Sequence, residues 1–180
     1  GHPELCSINT ATLGYRQPLE RTIEQCAARG IGAIAPWRQE IEHENVTRVA
    51  RRIRDAGLKV SGYCRSTYFP QATQAERLNA LEDNIRALEQ AAMLEAACFI
   101  LVVGGLPAGS RDLDDARAQV KEGVARLLET ARALKVPLAL EPLHPMTTAD
   151  RSCLNTLGQA LDWCAELDAG HSGFLGVAVD

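Results

Sequence analysis

The chain has 180 residues, 46% of them hydrophobic, and its 19 basic against 23 acidic side chains give a formal charge of −4. That length and composition suit one domain with a substantial core, and the acidic balance argues against a polyanion-binding surface, so no nucleic-acid partner is expected. No apolar run approaches the roughly 18 to 20 residues that span a bilayer and no signal peptide opens the sequence, so no membrane partner is expected and a cytoplasmic location is.

Gly1-His2, without an initiator methionine, reads as the remnant of a cleaved tag. Leu5–Asn9 is a short first strand. A helix opens at Pro18-Leu19-Glu20, carries Leu19, Ile23, Cys26 and Ala27 at helical spacing, and stops at Gly30. Ile31–Ala35 is the second strand and ends in Pro36-Trp37-Arg38. The next helix places Val46, Val49, Ile53 and Ala56 on one face and Arg48, Arg51, Arg52 and Arg54 largely on the other, which reads as a solvated face, and Gly57 ends it. Leu58–Cys64 is strand three, followed by the loop Arg65–Pro70. A long helix from about Gln74 to Glu95 turns Leu78, Leu81, Ile85, Leu88, Ala92 and Met93 inward. Strand four, Cys98–Val103, runs into Gly104-Gly105, a turn signal that could also let a substrate come close. A helix from Asp112 to about Leu134 leads to Val136–Leu140, an unalternating apolar strand that ends on Glu141 and is stiffened by Pro142 and Pro145 around His144. After a polar loop and a helix from about Thr156 to Leu167, Phe174–Val179 is a sixth strand of the same design, ending on Asp180.

Cysteines stand at 6, 26, 64, 98, 153 and 164 with no C-x-x-C pair, and read as buried reduced thiols. Six strands alternating with five helices, with no composition break, predict a single domain over 1–180 built on a parallel sheet with right-handed crossovers. The repeat of about 34 residues per strand-helix unit fits a doubly wound open sheet or a (β/α)8 barrel. No G-x-G-x-x-G follows the first strand, so a dinucleotide site has no support.

In a barrel, the residues at the C-terminal strand ends share one mouth. The candidates there are Asn9, Trp37, Arg65, Gly104, Glu141, His144 and Asp180. Glu141 and Asp180 end neighbouring strands, about 4.8 Å apart, and two such carboxylates suit a hard or borderline divalent cation. The alternative is that they cap helices or pair with arginines; a carboxylate ending a buried strand is costly unless a cation or donors compensate. His144 is either a substrate neighbour or a loop histidine packed between prolines, and Trp37 either a wall of the site or rim packing.

Ser7–Thr12, Val102–Pro107, Glu141-Pro142-Leu143-His144-Pro145, Asn155-Thr156 and Val177–Asp180 together resemble the sugar phosphate isomerase/epimerase family, the xylose-isomerase-like TIM barrels, over essentially the whole chain. The resemblance implies a (β/α)8 barrel of which strands 1–6 and helices 1–5 are present here. It also implies a divalent metal (Mn, Mg, Co or Zn) held by four groups, with Glu141 and Asp180 matching the first two. Glu141 would then also be the catalytic acid/base, moving a proton next to the carbonyl of a small sugar, ketose, polyol or inositol derivative. Asn9, Trp37, Arg65, Gly104 and His144 would bind that substrate, while Asn155-Thr156 caps the last helix. Eight units would need roughly 270 residues, near the usual size of the fold, so two further ligands and two strands are expected beyond Asp180. A chain ending there would expose two strand edges that invite aggregation or pairing with another copy, and as a 180-residue chain it would have half a metal site and little or no activity. The other readings are a non-catalytic ligand-binding or dimerising remnant, and an endonuclease IV-like phosphodiesterase, which needs more histidines than the four present.

Overall fold

The computed structural model describes residues 1–13, 17–143 and 152–179. Strands β1 (Ser7–Asn9), β2 (Ala33–Ala35) and β3 (Lys59–Val60) form one parallel sheet, and β4 (Tyr63–Cys64), β5 (Phe99–Leu101), β6 (Leu138–Leu140) and β7 (Leu175–Val177) form a second, in chain order. The connecting helices are α1 (Leu19–Ala28), α2 (Arg38–Ile41), α3 (Val46–Asp55), α4 (Gln74–Met93), α5 (Leu113–Leu134) and α6 (Leu157–Leu167).

The expected third strand is two segments, because the chain changes sheets at Ser61-Gly62. The Ser61 amide donates to the Ile34 carbonyl of the first sheet at 3.0 Å, and the Tyr63 amide donates to the Cys98 carbonyl beside the second at 3.0 Å. Gly62 lacks the side chain that would stiffen an extended backbone, so the bend falls there. The Cys64 amide reaches the Pro36 carbonyl at 3.2 Å, which sews the two sheets into one curved parallel wall.

Alternate residues on this wall meet different surroundings. Ile34, Val60, Tyr63, Phe99, Leu101, Leu138 and Leu140 are buried in the main core, against Leu88 of α4 and Val124, Leu127 and Leu128 of α5. Cys64, Val102 and Ala139 are also buried but lie outside that core, on the inner face of the barrel. Burial on both faces explains why these strands read as continuous apolar runs.

The helices are capped by the side chains that begin them. Thr73 and Glu76 exchange hydrogen bonds at 3.2 Å in each direction at the start of α4. Asp112 Oδ1 accepts the Asp115 amide of α5 at 2.9 Å, and Thr156 Oγ1 accepts the Gln159 amide of α6 at 3.1 Å, the capping role expected for Thr156.

Three expectations need correction. Leu78 and Met93 are 45% and 53% exposed; the buried stripe of α4 is Ala80, Asn84, Ala87, Leu88 and Ala91, whose small side chains let the helix sit close to the sheet. Cys6 is exposed, since β1 is the edge of its sheet among the described residues, while Cys98 and Cys164 are half-buried; all six thiols are free. The single turn of α2 is too short to show helical periodicity; it starts where the Trp37 amide donates to Glu40 Oε1 at 3.0 Å. No described helix is long and apolar enough to cross a membrane.

Candidate active site at the strand ends

All strands run in the same direction, so their C-terminal ends open on one side, where most of the sequence-predicted site residues gather. Asn9 ends β1, and its Oδ1 accepts the Trp37 indole N–H at 2.9 Å and the Ala11 amide at 3.0 Å. Two candidates far apart in sequence are therefore one unit, with the indole held edge-on by the asparagine. Trp37, Arg65, Tyr68 and Gln71 line a cleft of about 490 Å³ that has Cys64 within its wall.

Arg65 follows β4. Its Nη1 donates to the Tyr68 hydroxyl at 3.1 Å, and its Cζ lies 5.1 Å from the Tyr68 ring centroid, so the guanidinium rests against the ring. The segment carrying both residues is fixed by the barrel and by α4. The Ser66 amide donates to the Ile100 carbonyl at 3.0 Å, Ser66 Oγ to the Val102 carbonyl at 3.1 Å, and the Phe69 amide to the Val103 carbonyl at 3.1 Å. Fully buried Asn84 accepts the Thr67 amide at 2.7 Å and returns a bond to the Thr67 carbonyl at 3.0 Å. Arg38 pairs with both oxygens of Asp83 at 3.0 Å, and its Nη1 also reaches the Arg65 carbonyl at 3.4 Å, while Thr67 Oγ1 donates to the same Asp83. Burial alone would push the Asp83 carboxyl up, but the bonds from Arg38 and Thr67 outweigh it and hold the group below its ordinary value.

Sequence reasoning missed this network. Its signal was available in Asn84, a polar residue falling in the alanine stripe of α4, where a buried amide demands partners.

Gly104 follows β5 with φ at +95°, and a Cβ there would lie 2.7 Å from Tyr68 Cβ and 2.8 Å from Tyr68 Cγ. The neighbour that uses the missing side chain is thus Tyr68. A second cleft, of about 550 Å³, lies beyond it between Gly104, Leu106, Pro107, Leu143 and Gln71, so Tyr68 stands between two clefts.

Glu141 leaves β6 with its amide bonded to the Leu101 carbonyl at 3.0 Å. Alternation along β6 puts it on the inner face with Ala139, opposite to Leu138 and Leu140. Its effect on Cys64 agrees with that placement: burial first, and then the Glu141 carboxylate, push the Cys64 thiol up to about 12. Cys64 therefore keeps its proton near neutrality. The remaining candidates, His144 and Asp180, lie outside the described residues. Among the described residues no three His, Cys, Asp or Glu side chains converge. A half-buried carboxylate on a barrel's inner face can hold a cation with partners or take a proton from a bound carbon acid.

The comparisons with known proteins fit this geometry. The chain is 47% identical to protein SMc04130 from Sinorhizobium meliloti 1021 over 97% of its own length and 62% of that chain, with a TM-score of 0.89. It shares its fold with 3-keto-D-glucoside 4-epimerase, YcjR, from E. coli, at 22% identity over 86% of this chain and 61% of that one, TM-score 0.70. It also shares it with the IOLI protein, whose structure carries a zinc atom, at 15% identity over 95% and 60% of the two chains, TM-score 0.78. The chain thus spans about 60% of the length of these structures. No curated protein matches the sequence. The family described as xylose isomerase-like TIM barrel matches residues 23–180, and the chain belongs to that family.

Proposed function

We propose that this chain forms the catalytic part of a metal-dependent isomerase or epimerase acting on a small sugar, ketose or inositol derivative by proton transfer next to a carbonyl. The observation that carries the reading is Glu141, a carboxylate delivered by a doubly buried strand to the inner face of the barrel, beside a cleft walled by Trp37 and Arg65. The epimerase among the structural neighbours supports the same chemistry.

Glu141 takes the proton from the carbon beside the carbonyl and returns it at the neighbouring carbon; return on the opposite face, as epimerisation requires, falls to a second acid across the substrate. Asn9 fixes the Trp37 indole, whose face offers a sugar ring an apolar wall. A divalent cation, for which Glu141 and Asp180 are the proposed ligands, would polarise the carbonyl when bound. The test is exchange of the substrate's carbon-bound proton with D2O, followed by NMR in the presence of Mn²⁺ or Mg²⁺. Glu141→Gln should abolish exchange; exchange at the unaltered rate would overturn the assignment.

A further inference from the structure

The 490 Å³ cleft contains two guanidinium groups in opposite situations. Arg38 is ion-paired, with both Asp83 oxygens and, at 3.4 Å, with Glu42, although its buried Nε has no partner among the described residues. Arg65, half-buried in the same wall, has no carboxylate within ion-pair distance among the described residues. Its one described side-chain hydrogen bond is Nη1 to the Tyr68 hydroxyl, and the Tyr68 ring supports its plane. The Nε and Nη2 edge of the fork remains for another partner. A guanidinium whose orientation is fixed by an aromatic ring and a hydroxyl, with its segment pinned by Ser66, Thr67 and Phe69, has already lost the freedom that binding would otherwise cost.

We infer that the substrate carries an oxyanion, a carboxylate or a phosphate, which Arg65 holds through its Nε and Nη2 edge while the Tyr68 hydroxyl anchors the guanidinium through Nη1. This rests on the strand-end mouth being the substrate site, as proposed above. The competing role for Arg65 is as counter-charge to Glu141, since the two act on the Cys64 thiol with opposite sign. A counter-charge would serve neutral and anionic substrates alike; a fork for an oxyanion would not.

The experiment is calorimetric binding of three probes, D-gluconate, D-fructose 6-phosphate and D-fructose, to the protein and to its Arg65→Met, Arg65→Lys and Tyr68→Phe variants. At least one anionic probe should bind about tenfold or more tighter than D-fructose, as a charge-assisted fork implies, with a preference that weakens as salt is raised. Arg65→Met should erase that preference, bringing the anionic probes down to the affinity of D-fructose. Arg65→Lys should restore part of it, and Tyr68→Phe should weaken only the anionic probe. Preference for gluconate identifies a carboxylate, preference for the phosphate ester a phosphate. Equal affinities for all three probes in the unaltered protein, or an equal loss for all of them in Arg65→Met, overturn the inference. Persistent anion preference alongside unimpaired deuterium exchange in Glu141→Gln would sink the catalytic reading and leave this one standing.

Discussion

Gly104→Ala is the substitution on which the geometry of the site makes the sharpest demand. Two costs add. The backbone at φ +95° is one that an L side chain rarely adopts, a strain of order 1–3 kcal/mol. The new methyl also lands 2.7 Å from Tyr68 Cβ and 2.8 Å from Cγ, the root of the side chain. A swing of the ring therefore cannot relieve the contact, and segment 65–69 is pinned to β5 through Ser66 and Phe69. Overpacking of this kind costs roughly 1–3 kcal/mol. Against both stands about 0.4–1 kcal/mol gained by stiffening the unfolded chain. The net expectation is a loss of about 1–5 kcal/mol, read as a lower urea midpoint at unchanged slope. Repeating the substitution in a Tyr68→Gly background separates the terms, because that background removes all three clashing atoms and leaves the backbone strain. The coupling between the two sites should be about 1–3 kcal/mol. A loss under about 1 kcal/mol, or the same loss in both backgrounds, would refute the packing described between Gly104 and Tyr68.

Other outcomes follow from the same contacts. Gly123 lies within α5 with Phe69 Cδ1 only 2.3 Å from where its Cβ would be. Gly123→Ala should therefore destabilise by about 1–2 kcal/mol in urea, although alanine favours a helix by roughly 1 kcal/mol; a gain in stability would show that Phe69 gives way freely. Buried Asp168 would be raised by desolvation, but bonds from the Ser172 amide at 3.1 Å and hydroxyl at 3.0 Å and from Arg132 at 2.9 Å hold it below its ordinary value. A depressed carboxylate stabilises the fold above its unfolded pKa, about 4, and that contribution is lost as pH falls through the lower folded value. Asp168→Asn should then lower stability at neutral pH and flatten its decline below about pH 4, measured by thermal melting across pH. A thiol reagent at mildly alkaline pH should modify exposed Cys6 first, and Cys64 and Cys153, pushed by burial to about 12 and about 11, only on unfolding; early modification of Cys64, mapped by mass spectrometry, would contradict its burial.

The parallel wall was legible in the sequence because apolar runs such as those around Phe99–Leu101 and Leu138–Leu140 alternate with helix-length segments. Glu141 was legible as the charge that ends an unalternating apolar strand. The break at Gly62 was not, since a strand that changes partners keeps the same apolar pattern on both sides of the bend. Large apolar residues misled at Leu78 and Met93, where contact with the sheet is made by alanines whose small size is the point. The pairing of Asn9 with Trp37, and of Arg38 with Asp83, joins residues 28 and 45 positions apart, and only the side-by-side pairing of successive strands brings them together.

The segment after β4 behaves less like a loop than like a rail. Three of its amides, at Ser66, Thr67 and Phe69, are spent on β5 and α4, so the Cα positions of Arg65 and Tyr68 are set by backbone bonds that do not depend on what those two side chains are. On the binding role proposed for Arg65, exchanging either residue would alter what the mouth recognises without shifting the register of the wall beneath it. Selectivity in this barrel can thus diverge by single substitutions on a fixed frame, with no change of loop length, and a library randomised at positions 65 and 68 alone would sample new ligands in proteins that still fold.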